Sequence, residues 1–357
     1  MRKPRQTKET LLIICEGEKT EPIFFHAIRS EIKGGKYPTV HIGEIKIIPE
    51  PKIDSPTVSS RSARKPREVK PDTQGQTDKI MGQPPLKWVQ KGYDELQDRT
   101  YDEVWAVFDK DEHPAAKEAF ELAKQEVNGK HVHIAFSSRC FEYYLLLHFE
   151  KKYYAFQKSE CKDENKKVIG CGTTLHPAND CHGVRCINGY AREKGYWQET
   201  KKNQSTYNII KDRLQLGFAG ATWLRNKSDK CEGEKPVYQR NPMIWGIDTL
   251  VQRLTGEGRE WTFINRAETK PIGDIEISFD KSGDMLLKNI SKATLVIPQG
   301  VYEVVSYLTG EKEEQGERIL LGVGESISVP LSQWDIDSDK FVLFHCDDRH
   351  VVVFASE

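Results

Sequence analysis

The residues of this chain best equipped for chemistry are acids placed where apolar runs stop. Leu11-Leu-Ile-Ile-Cys-Glu16-Gly17 closes a buried-type run with a carboxylate and then a glycine, and Glu21 follows directly. Val104-Trp-Ala-Val-Phe-Asp109-Lys-Asp111-Glu-His113 closes in the same way, now as Asp-x-Asp. Residues two apart in an extended chain project to the same side, so Asp109 and Asp111 can address one point just past their strand. Hard divalent cations take oxygen ligands, often one or two carboxylates with water and substrate phosphate. Glu16, Glu21, Asp109 and Asp111 therefore form a ligand set for Mg²⁺ or Mn²⁺, and paired ions of this kind serve phosphodiester hydrolysis. The competing reading is structural, because acids after strands often cap the next helix and a short motif such as Asp-x-Asp arises by chance. His113, just past the second acidic pair, is placed for proton transfer or phosphate binding.

A third block, Ser137-Ser-Arg139-Cys-Phe-Glu142, offers complementary groups. A helix start attracts phosphate through its free N–H groups, with Arg139 beside it and Glu142 as a further ligand or acid–base partner. Against this, a small hydroxyl residue such as Ser138 can cap the helix, with Glu142 supporting its first turn.

These side chains need strands that end together. Apolar runs at about 10–16, 104–109 and 131–136, and an alternating run at 42–48, read as strands. Helical spacing at roughly 20–34, 86–98, 114–127 and 141–149 lies between or after them. Such alternation predicts an α/β core with a parallel sheet flanked by helices on both faces, over residues 8–150. Residues 49–85 lose periodicity and are rich in proline and basic groups, which predicts a flexible insertion. Residues 151–205 form a cysteine-rich insertion, and 206–260 hold helices that complete the core. One of these is expected over 241–254, with its proline near the start. From 268 to 357, short β-forming runs separated by turns predict a small sandwich or barrel.

The blocks Cys-Glu-Gly-Glu-Lys-Thr-Glu-Pro, Val-Phe-Asp-Lys-Asp-Glu-His and Ser-Ser-Arg-Cys-Phe-Glu-Tyr-Tyr, in this order, resemble the RloB family over roughly residues 8–255. The resemblance implies a TOPRIM domain similar to that of OLD-type nucleases, a Mg²⁺-dependent nucleic-acid-cleaving centre, and a place in bacterial anti-phage and restriction loci. On its motifs Glu16 matches the first TOPRIM acid, Asp109 and Asp111 the Asp-x-Asp, Glu21 the accompanying acid, and Glu142 the acid of the Phe-Glu block. The cysteine-rich segment and the β tail are not part of that family core.

Composition sets the outer bounds. The chain has 357 residues and a net charge of −1, so a basic surface for nucleic acid must be local. Candidates are Lys19, Arg139 and the insertion residues Arg61, Arg64, Lys65 and Arg67, the last four being either a phosphate-neutralising arm or a solvated linker. No run reaches the roughly 18 apolar residues of a membrane span, and the amino terminus lacks a signal-peptide pattern, so a cytoplasmic protein without membrane contact is expected. In that compartment the 8 cysteines suit metal binding or free thiols rather than disulfides. Cys161, Cys171, Cys181 and Cys186 could hold one structural Zn²⁺, although they lack the close C-x₂-C pairs of typical zinc knuckles. Tyr190, Tyr196 and Trp197 among basic residues could stack bases or simply anchor a loop.

Together these features predict a Mg²⁺- or Mn²⁺-dependent endonuclease of an anti-phage system, with RNA (tRNA first) ahead of DNA as substrate. A non-catalytic nucleic-acid- or partner-binding defence protein and an OLD-type DNA nuclease are the alternatives. A defence partner protein and self-association are expected partners. If the insertion is a nucleic-acid arm, replacing Arg61, Arg64, Lys65 and Arg67 with alanine will weaken binding and lower the slope of log affinity against log salt by up to about 3 to 4. Titrations at several salt concentrations check this, and an unchanged slope leaves the segment a linker.

Overall fold

In the computed structural model the chain divides into two compact units. The first gathers residues 1–145, 154–212 and 232–256, and the second 146–153, 213–231 and 257–357. The structure describes residues 9–51, 85–110, 115–156, 159, 186–197, 205–266, 268–307, 309–315, 317–331, 340–346 and 349–354.

In chain order up to residue 256 the elements are β1 (Glu9–Cys15), α1 (Thr20–Lys33), β2 (Ile42–Ile48), α2 (Pro85–Gln97), β3 (Glu103–Asp109), α3 (Ala116–Ala123), β4 (Val132–Ser138), α4 (Glu142–Leu146), α5 (Ile187–Glu193), α6 (Tyr207–Ile210), α7 (Leu214–Glu232), β5 (Met243–Trp245) and α8 (Ile247–Thr255). The sheet order is β2-β1-β3-β4-β5, with the first four strands parallel and β5 antiparallel to β4. Because β2 and β3 lie on opposite sides of β1, the crevice between the carboxyl ends of β1 and β3 is a topological switch point, where open α/β sheets build their sites.

Leu11 to Cys15 are all buried, as expected of a parallel strand covered on both faces. On one face Leu12, Ile14, Ala106, Phe108 and Phe136 join Trp88 and Val89 of α2 and Ala119 of α3 in one apolar cluster. A separate aromatic cluster centres on Phe24 of α1, whose ring meets those of Phe25, Phe141 and Tyr207 edge-on at 5.3, 5.1 and 5.6 Å. Arg29 ties α1 to the sheet, donating to the Ile45 carbonyl at 3.2 Å and pairing with Glu50.

Two local expectations change. The sheet is mixed rather than wholly parallel, and residues 241–254 are not one helix. Met243, Ile244 and Trp245 pair with Ser138, Ser137 and Phe136, and the helix starts only after Gly246. That glycine has φ +77°, and a Cβ there would lie 2.1 Å from the Ile134 carbonyl oxygen. Helical spacing of the apolar residues could not reveal a backbone pressed this closely on β4. Ahead of residues 241–254 in the chain lie a short α6 and one long α7.

The second unit contains β6 (Glu260–Phe263), β7 (Lys270–Ile272), β8 (Ile275–Phe279), β9 (Met285–Asn289), β10 (Leu295–Ile297), β11 (Tyr302–Ser306), β12 (Lys312–Gln315), β13 (Ile319–Leu321), β14 (Ser326–Val329), β15 (Lys340–Cys346) and β16 (Arg349–Phe354). They form sheets ordered β12-β11-β15-β16-β6 and β14-β9-β8-β7, with β10 and β13 as a separate pair. All pairings are antiparallel except β16 with β6. Ile277, Met285 and Leu287 of one sheet share a core with Val342, Phe344 and Val351 of the other, which is sandwich packing. Of the segment 206–260, residues 213–231, which hold most of α7, and 257–260 fall in this unit. Phe218 packs on Trp261 at 5.6 Å, and the buried Tyr307 hydroxyl lies 2.8 Å from the Leu216 carbonyl and 2.9 Å from that of Leu147. The β region begins at 260, ahead of the expected 268.

No helix among the described residues is long and apolar enough to cross a membrane. Gly246→Ala is expected to destabilise the protein by ~2 kcal/mol or more, since left-handed backbone alone costs an L-residue about 1–2 kcal/mol and the carbonyl contact adds to it. Urea or thermal unfolding checks the value.

Candidate carboxylate centre at the strand ends

The centre forms where β1 and β3 run out. Beyond β1, the Glu16 N–H donates to the Val107 carbonyl at 2.9 Å, extending the pairing of β1 with β3 by one bond. The Glu16 side chain then crosses the crevice, its Oε2 accepting the backbone N–H of Asp109 at 2.9 Å. Asp109 lies in register with Ser137 of β4, and the Ser137 hydroxyl donates to Asp109 Oδ1. One acid is therefore oriented by the next strand's amide, and that strand's acid by the hydroxyl of the strand beyond it.

Glu21 enters from the first turn of α1, where a carboxylate also favours the helix dipole. It is only 7% exposed. Its carboxylate packs on the bare backbone of Gly17, where a Cβ would stand 2.3 Å from Glu21 Oε2. Here glycine serves close approach rather than a special dihedral. Glu142 opens α4 and hydrogen-bonds the Cys140 thiol.

Electrostatics ties these acids together. Asp109 is half-buried by surface, but its carboxyl group lies deep among protein atoms. Loss of hydration, and after it the negative charge of Glu21, push that carboxyl well above the usual carboxylate range. Glu142 and Glu16 push the same way, and the Ser137 hydrogen bond opposes them. The neighbouring thiols respond too. Cys15 is raised by burial and then by Glu21, and Cys140 by burial and then by Glu142 and Asp109. Both are thereby kept as thiols rather than nucleophilic thiolates.

Of the predicted acids, Glu16, Glu21, Asp109 and Glu142 come together from four places in the chain. Asp111 and His113 lie outside the described residues, as do Arg61, Arg64, Lys65, Arg67, Cys161, Cys171 and Cys181. Cys186 is buried immediately before α5. Lys19 is exposed just ahead of α1, and Arg139 is half-buried between β4 and α4. Ser138 does not cap a helix: it is the buried last residue of β4, four positions before α4, and its hydroxyl has no hydrogen-bond partner among the described residues. Trp197 is an anchor rather than an open stacking surface, being buried with its Nε1–H donated to Asn188 Oδ1 at 3.1 Å.

Two residues gain roles that spacing did not show. Ser137 orients Asp109. Lys110, directly after it, donates to the carbonyls of Gln239 and of Arg240, the latter at 3.2 Å. Burial, with Lys235 and Arg139 nearby and Glu232 opposing, holds its ammonium below the usual lysine value. Only the fold brings residues 239–240 to this position.

Among the described residues no group of three or more His, Cys, Asp or Glu could by itself hold a metal ion. The chemistry of the donors nevertheless fits a hard divalent cation. They are carboxylate oxygens, and the mutual repulsion of the acids around Asp109 is what a cation would relieve.

A family model described as "RloB-like protein" matches residues 11–254, about two thirds of the chain and every acid of this centre. No curated protein and no solved structure gives a match.

The raised Asp109 carboxyl has a stability consequence. Its charged form is disfavoured in the folded state, so wild-type stability falls as pH rises from the unfolded value near 3.9 through the folded one. In metal-free buffer, Asp109→Asn is expected to melt about 2–4 °C higher at neutral pH, the shift that ~1 kcal/mol gives in domains of this size. The gain should vanish towards pH 4. Thermal melts across that range check both size and sign.

Proposed function

The chain belongs to the RloB-like family, and from that premise we propose that its α/β unit is a TOPRIM-type, divalent-metal-dependent nuclease centre that serves phage defence. The observation that carries the reading is the clasp of Glu16 Oε2 on the Asp109 amide, which sets two acids at a switch point where Glu21 and Glu142 add their charge to Asp109. Glu16, Glu21, Asp109 and Asp111 would hold Mg²⁺ or Mn²⁺, and Glu142 would shape a second position. When bound, such ions lower the pKa of a water nucleophile and neutralise charge on the phosphate and leaving oxygens.

The chain's own residues do the positioning. The Asp109 amide fixes the Glu16 carboxylate and the Ser137 hydroxyl fixes the Asp109 carboxylate, so that both are held in a set direction. The dense negative charge needs a cation before a phosphodiester can approach, which makes activity depend on added metal. Lys19, Arg139 and the basic insertion are the groups for the substrate backbone, and His113 is the candidate for proton transfer. RNA, with tRNA foremost, is the favoured substrate ahead of DNA. A structural Zn²⁺ on Cys161, Cys171, Cys181 and Cys186 belongs to the same proposal.

Purified full-length protein with Mg²⁺ or Mn²⁺ is expected to cut at least one of tRNA, plasmid and single-stranded substrates. Glu16→Gln and Asp109→Asn should each lower the rate by more than about 100-fold, above the range for groups one step removed from a metal. Binding without cleavage in the wild type, or cleavage that survives both substitutions, overturns the nuclease assignment.

A further inference from the structure

The β unit contains a polar chain that the carboxylate centre does not use. On the β15–β16 hairpin His345 and His350 are register partners. His350 Nε2 meets Glu257 Oε1 at 3.2 Å, the two Nδ1 atoms meet at 3.0 Å, and His345 Nε2 meets Glu303 Oε1 at 3.3 Å. A carboxylate only accepts, so each Nε2 carries its hydrogen. Arg259 Nη1 lies 3.4 Å from His345 Nδ1. A guanidinium only donates, so His345 Nδ1 is the acceptor of that contact, and the His350 ring lies tilted against Trp261 with centroids 4.6 Å apart.

The charges around this chain are Glu257, Glu303 and Glu260 against Arg259, Lys312 and Arg349. Lys312 lies 3.6 Å from Glu303, and Arg349 pairs with Glu260 at 3.2 Å. Both Glu257 and Glu303 are held below the usual carboxylate range. The His345 hydrogen bond does this for Glu303, and for Glu257 the His350 contacts outweigh the opposing loss of hydration. Glu257 also accepts the Arg259 backbone N–H at 3.1 Å and feels the charge of its guanidinium, but the Arg259 side chain itself faces an imidazole and forms no ion pair within 4 Å among the described residues.

Arg259 and His345 also line a cavity of about 520 Å³, within the size range of small-molecule sites. Its walls include Ile275, Leu295, Ile297 and Val301, with Gln299 and Asp274 as its other polar side groups. One corner is therefore cationic, part of the wall is aliphatic, and Asp274 disfavours a second negative charge. We infer that this cavity binds a small amphipathic anion, its single carboxylate or phosphate head on Arg259 and its aliphatic body on Ile275, Leu295 and Val301.

Octanoate and octyl phosphate, titrated by calorimetry into the full chain with octanol as the neutral control, test the inference and separate the two head groups. At least one anion is expected to saturate a single site below about 1 mM and to bind tenfold or more tighter than octanol. Arg259→Met, at an exposed position, should weaken it by about 10-fold or more, and Leu295→Trp should abolish it by filling the cavity. No saturation by either anion, equal binding of octanol, or unchanged binding to Arg259→Met overturns the inference. If Leu295→Trp fails the circular-dichroism check for folding, the Arg259 variant alone decides.

Discussion

A carboxylate that accepts the backbone amide of a neighbouring strand's acid is the contact on which the α/β unit's site depends. Glu16 reaches from the end of β1 to the Asp109 N–H at the end of β3. The bond needs the two strands to stop level with each other. That in turn needs β1 inside the sheet with parallel neighbours on both sides. Apolar residues buried on both faces of β1 and β3 hold this register. A slip by one residue would turn every core side chain to the other face and carry Asp109 away from both Glu16 and Ser137.

Around that contact the protein gathers charge that opposes its own folding. Glu21 and Glu142 enter from two helix starts, and Asp109 sits where hydration is poor and like charges are near. Bringing such groups together disfavours their charged forms, and strained or costly groupings of this kind concentrate at functional sites. Local details fit the same purpose. Gly17 is without a side chain because the Glu21 carboxylate fills that space, and Lys110 is drawn off to the carbonyls of Gln239 and Arg240 instead of neutralising its neighbour.

The β unit treats its buried polar groups in the opposite way. Along Glu257–His350–His345–Glu303 each acid faces an imidazole, so every polar group in the chain of contacts has a partner. Buried polar groups are tolerable when they are partnered in this manner. Beside this chain of contacts stands a cation, Arg259, at the edge of a cavity whose wall is partly aliphatic. The two units thus offer different electrostatics, one suited to a metal ion and the other to an organic anion.

Much of this was legible in the residues alone. Continuous apolar runs marked β1, β3 and β4, and acids at their ends marked the site, because a buried parallel strand must be apolar throughout and can turn polar only where it emerges. Turn-separated β runs marked the second unit. Tertiary structure alone decided the rest. Met243–Trp245 became an antiparallel edge strand because β4 offered free backbone groups and Gly246 could press against Ile134. Ser137 became the partner of Asp109, and Lys110 that of residues 239–240, because sheet register brings together residues 28 or about 130 apart in sequence. The pairing of His345 with Glu303 and the cavity beside Arg259 arise in the same way. Local spacing encodes which face a residue presents, whereas which partner it meets depends on how distant strands align.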